Sequence, residues 1–342
     1  MSETNVDVVV IGGGPAGSVA AARCARAGLS VVLLESCQLP RDRPGESLHP
    51  GAETVLRELG AWEQVAALQP LRHAGIWLNW AAPETFQAFG ADADGAWRGV
   101  QVWRADLDSI LLEGARRAGA VVLQSVAVRE VLQSEGVVVG VETPTQRILA
   151  RSVIDASGGR HWLAHKLGVA VQRVSRPLIA RYGYVRHLPG VDEAPRLSAE
   201  ARGWTWTARV RDDTYAWTSL ATTGSVRDEL RPAGLKPFEF GRVRSADVTW
   251  RIASRCAGPG YWLAGDAAFV LDPSSSHGVL RALLSGAQAA EAVVRTLGNP
   301  ALEPEIALGY DQALRSWFAH DVERLSALYA QAFPGWRTLQ PD

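Results

Sequence analysis

Apolar residues along this chain follow two rhythms. From Val6 to Ile11, and again from Leu29 to Leu34, apolar residues run together with a single polar position each, Asp7 and Ser30, as expected of strands buried on both faces. Between these runs, Pro15 and Ala16 open a helical stretch that closes near Gly28. The 3.6-residue period returns over 52–59 and over 104–118, where Leu107, Ile110, Leu111 and Ala115 share a face. It is lost over 70–100, where GIWLNW and TFQAF read as strands between turns. Alternation from 120 to 143 predicts strands around a turn at Glu135–Gly136, and another strand is predicted over 147–155. Strands follow near 178–187, 203–210 and 214–221. An apolar strand starting at Tyr261 precedes a helix over 278–297. A last amphipathic helix over 305–333 carries the stripe Tyr310, Leu314, Trp317, Leu325, Leu328 and Ala332.

The first strand–helix–strand unit contains chemistry as well as structure. Gly12, Gly14 and Gly17 stand in the spacing GxGxxG. The first glycine permits a tight turn, the second lets backbone approach a pyrophosphate, and the third allows close packing of helix on strand. The helix start at Pro15–Ala16 offers unpaired N–H groups to an anion. Glu35 lies 18 residues beyond Gly17, at the tip of the second strand, where it can accept hydrogen bonds from a ribose. Strand, glycines, helix, strand and acid in this order identify a dinucleotide-binding unit.

Composition narrows the field. With 47% hydrophobic and 21% charged residues, the chain has the makings of a sizeable core. A net charge of −1 argues against a nucleic-acid partner. No apolar run reaches membrane-spanning length. The early first strand leaves no room for a signal peptide. The three cysteines, Cys24, Cys37 and Cys256, lack metal-ligand spacing and read as free thiols, so a cytoplasmic location is expected. Only two lysines occur, Lys166 and Lys236. Thirteen tryptophans are present, and Trp77, Trp80, Trp97, Trp204 and Trp206 fall outside the nucleotide-binding segments. They suit core packing, an aromatic pocket or a docking surface.

Two further glycine-rich turns decide which dinucleotide is expected. IDASGGR (154–160) ends a strand, and Asp155 suits either structure or cofactor contact. WLAGDAAFVLDPSSSHG (262–278) places Asp266 at a strand end, where a carboxylate can accept two hydroxyl hydrogen bonds from a ribityl chain. It also places a helix N-terminus near Gly278, suited to negative charge on a reduced ring. A flavin benefits from both devices.

With GGGPAGS (12–18), DASGG (155–159) and GDAAFVLDP (265–273) in order, the chain resembles the FAD-dependent monooxygenases of the p-hydroxybenzoate-hydroxylase fold, a superfamily that includes flavin-dependent halogenases and geranylgeranyl reductases. The resemblance implies an α/β fold: a Rossmann-like FAD-binding domain from residues 1–70, 100–168 and 251–342, with a β-rich substrate domain inserted at 71–99 and 169–250. It implies FAD contacts from Gly12, Gly14, Pro15, Ala16, Gly17, Glu35, Ser36, Arg41, Ser47, Arg104, Val128 and Asp155, and from Gly265, Asp266, Pro273, Ser276, Gly278 and Val279. PGESLHP (44–50) resembles the GES element that lies by the isoalloxazine in halogenases and geranylgeranyl reductases. DPSSSHG (272–278) resembles the DPxxSxG element of halogenases. It resembles still more the DPxSSxG form of the LodB, GoxB and QhpG group, flavoproteins that modify tryptophan during cysteine tryptophylquinone maturation.

Halogenases need a lysine soon after the GES loop, and none precedes Lys166; their glutamate in the DPxxSxG stretch is replaced by Ser275. WTWTARV (204–210) keeps the tryptophans of the halogenases' WxWxIP segment and loses its Ile-Pro. The reading that follows is an FAD-dependent monooxygenase hydroxylating an aromatic substrate through a flavin C4a-hydroperoxide. The acceptor is an aromatic small molecule or a tryptophan of a precursor protein, and electrons come from NAD(P)H or a separate flavin reductase. His49, His277 and Glu46 are the catalytic candidates, with loop-ordering roles as the alternative for each. A geranylgeranyl-reductase-like enzyme and a non-catalytic flavin-bound assembly factor are the rival readings. His73, His161 and His320 read as ordinary polar residues.

Overall fold

The computed structural model describes residues 2–41, 43–186, 193–222 and 242–339. Its organising element is the strand Ser2–Ile11, whose Val8, Val9 and Val10 are fully buried. Burying both faces of such a strand stabilises by about 1.5–3 kcal/mol per side chain. Parallel neighbours flank it, Val31–Glu35 on one side and Gln146–Asp155 on the other. Val121–Gln124 extends the sheet beyond Val31–Glu35, and Tyr261–Leu263 runs parallel to the end of Gln146–Asp155. The antiparallel strands Val137–Glu142 and Glu130–Ser134 extend the other side, joined at Glu135–Gly136, where both residues have positive φ, and Ala257–Gly258 pairs with Tyr261–Leu263.

The helices Pro15–Arg26, Arg104–Arg117 and Gly278–Gly298 pack together beside this sheet. Their closest approach needs glycine. A Cβ on Gly286 would lie 2.2 Å from the Ala16 carbonyl oxygen, so the long helix rides directly on the first.

A second sheet holds Arg244–Asp247, Ile179–Arg186, Thr214–Ala221, Gly203–Arg211, Arg196–Glu200, Gly75–Asn79 and Thr85–Ala88, in that order. It therefore draws strands from both 71–99 and 169–250. The strand expected over 178–187 is described to Arg186; His187 lies outside the described residues. Two segments of the 70–100 region, Leu71–His73 and Gly99–Gln101, join Ser47–Leu48 of the GES loop instead.

The C-terminal helix spans Glu303–Ala332. Its expected stripe needs correction: Trp317, Leu328 and Ala332 are only partly buried, whereas Phe318 and Tyr329 are buried. A partner on more than one side displaces the stripe from its simple 3.6 period. Trp204 and Trp80 of the second sheet supply that partner. Trp204 Nε1 donates to the Tyr329 hydroxyl (2.6 Å), and Trp80 Nε1 donates to the Leu328 carbonyl (2.7 Å). These two tryptophans are buried core, while Trp97 is exposed.

Candidate active site

The three glycine-rich turns meet at the C-terminal ends of the parallel strands, where ligands bind in open α/β sheets. The Ala156 amide donates to Ile11 O, and the Ala264 amide donates to Asp155 O (2.8 Å each). A Cβ on Gly12 would meet the Ala156 carbonyl oxygen at 2.4 Å, and one on Gly17 would meet Gly12 O at 1.9 Å. These two glycines are consumed by packing. Gly14 faces open space, its nearest neighbour the Arg41 guanidinium at 3.6 Å. Gly278, first residue of the long helix, likewise has nothing within 4 Å. Two helix N-termini thus stand open to a ligand.

Glu35 is buried beside the first turn. Its Oε2 accepts from the Gly13 amide (2.7 Å), while Oε1 accepts from the Cys37 amide, the Ser36 hydroxyl and Arg41 (2.7 Å). A carboxylate has about four acceptor sites, two per oxygen, so Oε2 keeps one free. Val128 is partly buried in the loop that follows the neighbouring strand, whose Val126 amide donates to Glu35 O. Asp155 serves structure: its oxygens accept from the Ser157 and Leu163 amides (2.8 and 2.9 Å).

The GES loop is tied down from three directions. Arg104 forms a bidentate pair with Asp108 (2.9 and 3.0 Å) and donates to Pro44 O (2.7 Å). The Ser47 hydroxyl donates to Gln101, and Ser276 donates across to Ser47 O (3.4 Å), joining the GES and DPSSSHG loops. Ser276 itself is left-handed, with φ +53°. Glu46 is buried and accepts from the Tyr184 hydroxyl at 2.5 Å and from the Gly45 amide. Burial raises its pKa, while Tyr184 and Arg104 oppose that shift.

Asp266 is exposed, but into a recess: surrounding protein raises its pKa by burial, while Arg281, Arg104, Arg251 and Arg43 pull it down. His277 precedes the long helix without capping it, and burial lowers its pKa to about 4. His49 lies beside it, the ring centroids 5.0 Å apart. Its Nδ1 accepts from the Gly51 amide (3.2 Å), and burial lowers its pKa too. Both imidazoles are neutral at pH 7.

The second sheet roofs these loops. Side chains two apart share a face, and the pairing register places Trp204, Trp206, Tyr182 and Tyr184 on the same one. One end of that face is anchored at Tyr329 through Trp204, the other at Glu46 through Tyr184. Between the anchors, Trp206 is partly buried. Trp103 packs on Tyr184 (4.6 Å between centroids), with the Arg211 guanidinium over its ring.

Residues 5–283 match the model of the FAD binding domain family. The chain belongs to that family. It is an FAD-dependent oxidoreductase with the α/β fold of flavin-dependent halogenases. It is 28% identical over 381 residues to the 1H-pyrrole-2-carbonyl-[peptidyl-carrier protein] brominase of Pseudoalteromonas luteoviolacea, covering 100% of this chain and 90% of the relative. It is 30% identical over 334 residues to the menaquinone reductase of Mycolicibacterium smegmatis, covering 84% and 76%. Among solved structures it superposes on the flavin-dependent halogenase CmlS with a TM-score of 0.85 and 25% identity, covering 97% of this chain and 66% of CmlS.

The residues present fit FAD. Gly14 and Gly278 leave room where a Cβ would narrow it, and Glu35 keeps a free acceptor. Asp266 points a carboxylate into a recess bordered by arginines. The Arg41 Nε and the Ser275 hydroxyl are buried without hydrogen-bond partners among the described residues.

Neither motif matching nor spacing pointed to Tyr184, Trp103, Phe89 or Arg281. Tyr184 and Phe89 reach the site from the second sheet and the 71–99 region, while Trp103 and Arg281 flank the predicted Arg104 and Gly278. His73 was set aside as ordinary, yet its ring packs on Phe89, which also packs on His49 (5.4 and 5.3 Å). Its Nε2 is buried without a partner among the described residues, a state costing about 1–3 kcal/mol.

Proposed function

We propose that this FAD enzyme carries out an oxidative modification of an electron-rich aromatic ring, and that the group transferred is oxygen. Bound and reduced, FAD supplies activated oxygen. The chain's own residues supply the rest. Glu35, Arg104 and Asp266 are the residues we assign to holding the cofactor, with the two open helix N-termini at its charged portions. The sheet face carrying Tyr182, Trp206 and Tyr184 excludes water above the GES loop and offers aromatic packing to a flat substrate. His49, whose Nδ1 accepts from the Gly51 amide, carries its proton on Nε2 and serves as a hydrogen-bond donor to the ring's substituent. His277, with a pKa of about 4, is a poor proton acceptor at neutral pH and serves as a neutral hydrogen-bonding group.

The observation that carries oxygen over halide is the absence of a lysine at this site among the described residues. Lys166 is bound to Glu130 on the surface (2.8 and 2.9 Å). Halogenation is the second reading, favoured by the brominase relative and by the likeness to CmlS. The resemblance of DPSSSHG to the tryptophan-modifying group supports an indole side chain in a partner protein as one acceptor.

FAD-loaded protein, a chemical reductant, oxygen and bromide are mixed with indole, phenol, pyrrole-2-carboxamide and a tryptophan peptide, and the products are read by mass spectrometry. A gain of one oxygen supports the proposal. Replacement of hydrogen by bromine moves the assignment to the halogenase reading. Reduction of a menaquinone without oxygen, and no ring product, overturns both.

A further inference from the structure

The hydrogen bonding of His73 leaves one nitrogen with nothing to do. The ring is 4% exposed, at the end of the strand Leu71–His73. Its Nδ1 lies 3.0 Å from the Gly75 carbonyl oxygen, so Nδ1 carries the proton and donates. Nε2 therefore bears a lone pair, and no described residue donates to it. The neighbouring chain makes space for that edge of the ring. A Cβ on Gly99 would stand 2.7 Å from His73 Cε1 and 2.8 Å from Nε2.

Beside Gly99, an aromatic ring lies against this imidazole. Phe89 leans on His73 and on His49, and His49 in turn meets His277 beside the DPSSSHG loop. A row of four rings thus leads from the lone Nε2 to the loops assigned to the flavin. The Phe89 backbone is fixed by its amide, which donates to Ala74 O (2.9 Å), and its ring only by these aromatic contacts. Its side chain is half-buried between the exposed strand Thr85–Ala88 and the exposed hairpin of Ala91–Asp92 and Gly95–Ala96. A rotation about its side-chain bonds carries it towards solvent without breaking a backbone hydrogen bond.

We infer that Phe89 occupies the seat of the substrate's ring, and that a heteroaromatic N–H or phenolic O–H which displaces it donates to His73 Nε2. This deepens the aromatic-substrate reading and rests on it. The seat is apolar and ring-shaped, with aromatic edges on its sides and one acceptor at its end. It selects flat rings that carry a donor over those that lack one. Burial lowers the pKa of His73, keeping the imidazole neutral and the acceptor available.

The test is equilibrium dialysis of FAD-loaded protein against indole and 1-methylindole, with phenol and anisole as a second matched pair. The first member of each pair can donate to Nε2 and the second cannot. One hydrogen bond predicts a preference of about threefold to tenfold for the donor ring. His73→Phe abolishes that preference while retaining flavin. Phe89→Ala tightens both members several-fold and keeps their ratio. The inference is overturned by a preference that survives His73→Phe, by equal affinities in the native protein, or by affinities that Phe89→Ala leaves unchanged. Should His73→Phe not fold, the Phe89→Ala measurement still decides. The outcomes separate from the reaction: donor preference without ring oxidation or bromination preserves the seat and defeats the functional reading, whereas turnover with no donor preference does the reverse.

Discussion

Replacing Tyr329 by phenylalanine isolates the bond that fastens the second sheet to the C-terminal helix. The ring is fully buried among Trp80, Trp250, Phe333 and Trp336, with centroid separations of 4.5–5.7 Å, so the packing survives the change. The hydroxyl is lost. It accepts from Trp204 Nε1 at 2.6 Å and lies beside Asp272, which accepts from Trp250 Nε1 and from the amide and hydroxyl of Ser274. The cost is an indole N–H left buried and unpaired, worth about 1–3 kcal/mol, so a destabilisation of about 2 kcal/mol is expected.

Thermal unfolding at fixed, saturating FAD measures it, since bound cofactor itself raises the apparent stability. On the order of 2 °C per kcal/mol for a chain of this size gives a fall in Tm of roughly 4 °C. The discriminating measurement is the double-mutant cycle with Trp204→Phe. With the indole N–H already gone, the tyrosine change should cost about 1–2 kcal/mol less. A cost below about 0.5 kcal/mol, or strict additivity in the cycle, would refute the argument.

Other consequences are simpler to check. Gly309 sits exposed in the C-terminal helix with nothing within 4 Å, so Gly309→Ala should stabilise by about 0.5–1 kcal/mol in thermal melts. Gly286→Ala, which would drive a Cβ to 2.2 Å from Ala16 O, should instead lower the melting temperature and weaken FAD binding measured by flavin fluorescence. His161 donates through Nδ1 to Ala267 O and accepts from Arg251 at Nε2, and burial lowers its pKa to about 4. The unfolded state therefore binds more protons between pH 6.5 and 4, so stability should be lost as pH falls through that window. His161→Gln should remove part of that slope; an identical slope in denaturant titrations would show that His161 does not titrate there. Cys37 is exposed, whereas burial pushes the thiols of Cys24 and Cys256 up to about 12. Brief treatment with iodoacetamide should label Cys37 alone, as peptide mapping would reveal.

What the linear chain determined by itself was the local machinery. Short apolar runs bounded by turn residues fit strands covered on both faces, and Gly12 and Gly17 stand where any side chain would strike backbone carbonyls. Such constraints act within one strand–turn–helix unit, so they are visible without a third dimension. The same holds for the Glu135–Gly136 turn and the helix at Arg104. The tertiary structure decided what each side chain meets. Asp155 and Asp272 look like equivalent acids after strands, yet both are absorbed by hydrogen bonds within the protein, while Asp266 stays open to the recess. Trp204 and Trp206 differ by two positions, yet one is fixed by Tyr329 and the other is left on the face above the GES loop. His73 acquires its lone acceptor from Gly75 and Gly99 and its ring contact from Phe89. Periodicity reports which residues leave water; only packing brings partners together across a hundred or more positions, and the chemistry of a buried polar group depends on the partners it receives.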